Sequence, residues 1–169
     1  DLIISQHTME HIEHPKELLE QVFKIANAET TFVFEFPCFD PLLEQFRFDQ
    51  VFHQHIQYYS VQSFLTLLDQ VGGEMIDFTF HYTYWGALLV AFRKKKSSQK
   101  QSSRLEKNDF PLKHPDMIRS RYKNFRSQMD NTKFVLDSLN KKNLYGYGAA
   151  LMLPILGYHS DTDFEDFQA

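Results

Sequence analysis

The chain opens on a short apolar run, Asp1 to Ser5, which passes at once into a polar stretch rich in His and Glu. Runs of this length read as parallel strands buried on both faces. Lys16 to Ala26 then carries apolar residues at helical spacing, and Thr31 to Pro37 forms a second buried strand. Strand, loop, helix and strand in that order predict a doubly wound α/β fold, in which ligands gather where loops leave the carboxyl ends of the strands. A strand at residue 1 implies neighbours outside the sequence, so the chain is expected to be a fragment that starts within a domain.

The next stretch, Cys38 to Ser60, is aromatic-rich and has no sustained period. Long irregular segments inside compact domains are usually lids or binding loops. Ser60 is expected to cap a helix that carries Phe64, Leu65, Leu67, Leu68 and Val71 on its apolar side. A full capping box is not expected, because Ser63 stands where the pattern wants Glu or Gln. Gly72-Gly73 ends that helix. Met75 to Tyr82 and Ala87 to Arg93 have strand composition and are expected to close the sheet edge as a hairpin around Trp85-Gly86.

A polar, low-complexity run at residues 97–103 marks a boundary. The expected organisation is a first domain over residues 1–96, a linker over 97–114 and the start of a second domain over 115–169. Pro115 to Leu139 has the apolar spacing of an amphipathic helix, and Asn143 to Ala150 reads as a short strand entering a glycine turn before another helix.

Composition narrows the function classes. At 43% hydrophobic and 24% charged, the 169 residues have an ordinary globular balance, but 17 Phe and 8 Tyr point to an aromatic core. A net charge of −4, with one basic run at Arg93 to Lys96, argues against a nucleic-acid platform. One cysteine, Cys38, excludes an internal disulfide framework and fits a reducing compartment. No signal peptide or bilayer-length apolar run is present in the sequence, so a cytoplasmic protein with no membrane partner is expected.

His7-Thr-Met-Glu-His11 matches the inverted zinc-hydrolase pattern, which needs both histidines on one helix. Here the residues fall between a strand and Pro15, so a loop is expected and no metal site. His53 and His55 form another pair with no third ligand at useful spacing. His55 has a better role as a base, since histidine titrates near neutrality and can take a proton from carbon beside a carbonyl. Phe52, Tyr58 and Tyr59 could exclude water and hold a flat substrate there. An ordinary loop histidine is the competing reading. Gly146-Tyr-Gly148 could bring bare backbone amides to a phosphate, although it lacks the third glycine of the dinucleotide fingerprint and also suits a tight strand-to-helix turn.

Taken in order, these segments resemble the S-adenosylmethionine-dependent sugar C-methyltransferases of bacteria. The family's H-x-L-E-H-I-x-x-P loop is matched by His7 to Pro15, its E-x-P strand end by Glu35-Phe-Pro37, and its F-D-x-I-Y-H-E-H-x-x-Y-F-S block by Phe48 to Ser60. Its G-Y-G-A-A turn is matched by Gly146 to Ala150. The resemblance implies an incomplete Rossmann-like class I methyltransferase sheet followed by the start of a second Rossmann-like unit. Zinc belongs only to a region upstream of this chain, and so does part of the S-adenosylmethionine site. Little activity is therefore expected of the chain alone.

By the same resemblance His55 is the base, with Gln54, Phe52 and Tyr58 around it. Gln6, His7 and His11 pass the methionine end of S-adenosylmethionine. His53, Tyr59, Trp85, Gly146, Tyr147 and Gly148 face a nucleotide-linked keto-sugar. The family has Tyr and Glu where this chain has Phe52 and Gln54, and its hairpin arginine is Leu89 here. A second reading follows from these departures: a folded, catalytically inactive domain that binds nucleotide-sugar.

Overall fold

The computed structural model describes residues 1–95, 110, 113–139, 145–148 and 153–162. Two compact units emerge, one of Asp1–Leu42 with His53–Lys113 and the other of Leu43–Phe52 with His114–Ala169.

The first unit is an α/β layer structure, as the sequence predicts. Among the described residues its sheet has four strands, β1 (Leu2–Gln6), β2 (Thr31–Phe36), β3 (Gly73–His81) and β4 (Ala87–Lys94), in the order β1-β2-β4-β3. β1 runs parallel to β2, from Leu2 opposite Thr31 to Gln6 opposite Glu35. β4 is antiparallel to both β2 and β3, so β1, β2 and β3 share one direction and their carboxyl ends open on one edge. The expected hairpin is present, and its second strand inserts between β2 and β3.

β1 departs from the expectation of burial on both faces. Leu2 and Ile4 are 59% and 64% exposed, because β1 pairs on one side alone among the described residues and the face bearing these side chains is uncovered. Burial is concentrated in β2 and β4. Phe32 stacks on Phe92 with centroids 5.1 Å apart, and Phe34 meets Phe92 edge-on at 4.9 Å. α1 (Pro15–Ile25) adds Phe23, and α3 (Val61–Gln70) adds Phe64, Leu65 and Leu68. Each fully buried ring of this kind contributes about 2–3 kcal/mol of transfer free energy.

Helix ends are settled by named groups. Pro15 stands in the first turn of α1, where its missing N–H costs nothing. Lys94 Nζ donates to the carbonyl oxygens of Phe23 at 2.8 Å and Ala26 at 3.4 Å, satisfying acceptors at the other end of α1. At α3 the structure corrects the sequence reading. Ser60 Oγ accepts from the Ser63 N–H at 3.1 Å while the Ser60 N–H donates to Ser63 Oγ at 2.9 Å, closing a reciprocal box. The serine hydroxyl is short but accepts as an amide oxygen would. Asp40 adds a further acceptor for the Val61 N–H at 2.9 Å.

The stretch expected to be irregular also holds regular structure. α2 (Phe39–Glu44) and a single helical turn at Phe48–Gln50 lie within it. They are too short for their periodicity to show in a sequence window.

The second unit holds α4 (Pro115–Ser138) and α5 (Leu153–Ser160). Phe125 of α4 is buried against Phe48, ring centroids 5.8 Å apart. Arg126 reaches His159 of α5, at 3.1 Å to Nδ1 and 3.0 Å to the carbonyl oxygen. Val135, on the expected apolar face of α4, remains exposed, as does Phe134. The polar run at 97–103, half of the strand-and-turn segment from Asn143 to Ala150 and the acidic tail after residue 162 lie outside the described residues.

Candidate active site

At the carboxyl end of β1 the chain turns sharply. His7 takes a left-handed conformation, with φ of 46°, and Met9–His11 makes one 3-10 turn. Two groups hold that turn down. Met9 is inserted in the core, and its carbonyl accepts from the Tyr59 hydroxyl at 3.4 Å. The turn therefore delivers Glu10 to the interior, where it is 1% exposed.

The surroundings of Glu10 are unusual for a buried acid. Oε1 lies 3.4 Å from His7 Nδ1 and 3.8 Å from His11 Nε2. Oε2 has no hydrogen-bond partner among the described residues. Buried carboxylates normally find donors, so this one is a place where a cationic group would be welcome.

The loop carrying His55 is docked on this turn. The Ile56 and Gln57 N–H groups donate to the Glu10 carbonyl at 2.9 and 3.0 Å, and Gln57 Nε2 donates to the Glu13 carbonyl at 3.4 Å. His11 Nδ1 lies 2.7 Å from the Gln54 carbonyl oxygen. A carbonyl can only accept, so His11 Nδ1 donates to it, and Nε2 faces Glu10. The His11 and His55 rings stand 5.2 Å apart at 65°, and Tyr58 lies 6.2 Å from His55. Burial, then the neighbouring His11 and His7, push the His55 pKa down to about 4. At neutral pH its ring is therefore neutral, with a lone pair for a proton.

A second cluster occupies the same edge of the sheet. Glu35, one residue from the end of β2, is 5% exposed. Its Oε2 accepts from Gln6 Nε2 at 2.9 Å, and its Oε1 lies 2.7 Å from Nδ1 of His81, the last residue of β3. Tyr84 packs on His81 with centroids 4.8 Å apart and faces His7 at 6.1 Å. Sequence reasoning used Glu35 only as a motif residue and passed over His81. The available signal was topological, since both stand at carboxyl ends of like-directed strands.

Of the residues singled out from sequence, Gln6, His7, His11, Gln54, His55 and Tyr58 come together in the first unit. His53 and the Gln54 side chain are exposed. Tyr59 is part of the core, packed on Phe36 and Phe64, and burial pushes its hydroxyl pKa upward. Trp85 is 52% exposed in a left-handed turn with φ of 55°. Phe52, Gly146, Tyr147 and Gly148 fall in the second unit. There Tyr147 and Gly148 line a cavity of about 430 Å³ with Phe46, Phe125, Met129 and Leu153.

Glu10, His11 and His55 each offer a ligand atom, all within 4.8 Å of one another. That spread is wider than the roughly 3.3 Å between ligands on a tetrahedral zinc with bonds near 2.0–2.1 Å. The inverted zinc pattern is not on an α-helix here, because His7 lies before a single 3-10 turn and His11 ends it.

Residues 1–77 match a family model described as a methyltransferase domain. That match covers 77 of the 169 residues, and the α/β fold of the first unit is consistent with it. The chain is also similar to the C-methyltransferase NovU of Streptomyces niveus, 28% identical over 89 residues, which is 53% of this chain and 21% of that relative. The chain thus spans about a fifth of that relative's length.

Proposed function

We propose that this chain is part of an S-adenosylmethionine-dependent C-methyltransferase that acts on the carbon beside the keto group of a nucleotide-linked sugar. The observation that carries the reading is the seating of a neutral His55 beside His11, over the buried Glu10, at the carboxyl edge of the parallel strands. Ligand sites of open α/β sheets lie at that edge.

Gln6, His7 and His11 would lie along the methionine end of S-adenosylmethionine. The unsatisfied oxygen of Glu10 suits a cationic ligand, and this one bears both an ammonium and a sulfonium. When bound, S-adenosylmethionine supplies an electrophilic methyl group. His55 removes the proton from the substrate carbon, and the ring of Tyr58 stands beside it. Gln54 contributes through its main chain, whose carbonyl accepts from His11 Nδ1 and orients the ring. Phe52 brings no hydroxyl, so anion stabilisation has to come from elsewhere.

The test uses the full-length protein. His55→Ala should cut turnover by about 10²–10⁴-fold, the usual share of a general base, while S-adenosylmethionine binding persists. Turnover that survives would refute the assignment. The absence of ionisable groups at Phe52 and Gln54 favours one other reading, a domain that binds nucleotide-sugar without turning it over. Tight nucleotide-sugar binding with no methyl transfer would select it.

A further inference from the structure

We infer that Glu35 and His81 form a second functional pair in this site, in which His81 Nε2–H donates to the substrate carbonyl oxygen as that oxygen becomes negative. The inference rests on the function proposed above and assigns a group to a task that reading leaves open.

Three observations converge. Both oxygens of the buried Glu35 are already engaged, one by Gln6 and one by His81 Nδ1, so this carboxylate orients its neighbours. His81 is held on one side by that 2.7 Å bond and on its ring by Tyr84. Its side chain is 42% exposed, and Nε2 has no partner among the described residues. A ring pinned at one nitrogen and open at the other is preorganised to meet a ligand.

Placement gives the third. Gln6 and His81 end β1 and β3, Glu35 stands one residue before the end of β2, and all three share the edge where the His55 cluster lies. Tyr84 joins the two clusters, being 4.8 Å from His81 and 6.1 Å from His7.

The chemistry divides cleanly. Donation from both nitrogens, Nδ1–H to Glu35 and Nε2–H outward, requires the imidazolium form, whose charge Glu35 would balance. His55 takes the carbon-bound proton. The C–H pair becomes the new C=C bond, and the carbonyl π pair moves onto oxygen, where Nε2–H donates. The carbonyl re-forms as the carbon–methyl bond is made, and the methyl–sulfur pair returns to sulfur. His81 ends as it began, and His55 gives its proton to solvent. Glu35 acts through His81 and is a positioning residue.

The experiment uses the full-length protein with S-adenosylmethionine and a nucleoside-diphosphate 4-keto-6-deoxyhexose as probe. It reads kcat, KM and deuterium uptake from D2O at the carbons beside the carbonyl. His81→Ala and His81→Asn should each lower kcat by about 10²-fold, the size of one lost oxyanion donor, and slow deuterium uptake in parallel. KM for S-adenosylmethionine should hold. His81→Gln, whose amide nitrogen falls near the Nε2 position, should recover part of the loss. Glu35→Gln should lower kcat less than His81→Ala. A purely structural role gives the opposite order, with His81→Asn rescuing through its bond to Glu35 and His81→Gln failing, and that result overturns the inference. Wild-type protein with neither transfer nor uptake overturns the proposed function and this inference with it. Wild-type turnover retained in His81→Asn overturns the inference alone.

Discussion

Gly86 offers the sharpest test of how the hairpin is held against the rest of the first unit. Its φ is 84°, and a β-carbon there would lie 2.4 Å from Cβ and 3.0 Å from Cγ of Pro41. Pro41 is part of α2 and buried, so neither group can yield without moving backbone. Gly86→Ala therefore carries two costs. The left-handed conformation costs about 1–2 kcal/mol for a residue with a β-carbon. Forcing a methyl group into occupied space costs about 1–3 kcal/mol more. The sum, about 2–5 kcal/mol, is a large part of the 5–15 kcal/mol that holds a typical domain together. Urea unfolding followed by circular dichroism should show a lower midpoint at unchanged slope. The Gly86 N–H also donates to the His81 carbonyl at 3.2 Å, so His81 should be displaced in the surviving fold. A loss below about 0.5 kcal/mol, within the common range of surface substitutions, would refute the tight approach to Pro41.

Two further outcomes follow from the site and from α3. His55, whose pKa is lowered to about 4, should stay neutral in an NMR titration until the pH approaches that value. The unfolded chain binds the proton more readily, so this group's stabilising contribution is complete above its ordinary pKa of about 6.5 and is lost as the pH falls toward 4. A His55 that titrates at its ordinary value would contradict its burial beside His11 and His7. Ser63→Ala removes one half of the reciprocal cap on α3 and should cost about 0.5–1 kcal/mol in thermal or urea melts, whereas no change would show the Ser60 cap to be sufficient alone.

Much of the fold was legible because its signal is local. Thr31–Phe36 is buried through its last three residues, Phe34, Glu35 and Phe36, and a nearly continuous apolar run is what such a strand requires. Pro15 before an apolar-periodic segment marked the start of α1 for an equally local reason. Legibility failed where partners are remote or the chemistry was taken too narrowly. Nothing in the sequence around Ile56 and Gln57 states that their amides dock on the Glu10 carbonyl, although that docking builds the His11–His55 cluster. Glu35 and His81 are 46 positions apart and meet only because β4 lies between β2 and β3 while β3 runs parallel to β2. The capping box at Ser60 was missed because the rule asks for a long side chain, and the Ser63 hydroxyl reaches the same N–H. The exposure of Leu2 and Ile4 was missed because an apolar run carries no sign of which strand faces are covered.

The account's central claim is the transfer of a methyl group to carbon. The direct measurement gives the full-length protein S-adenosylmethionine labelled with carbon-13 in its methyl group, together with a nucleoside-diphosphate 4-keto-sugar, and follows the label by NMR. A labelled methyl bonded to the ring carbon beside the carbonyl is the expected result. Label on oxygen, or label that never leaves the donor, would contradict the account.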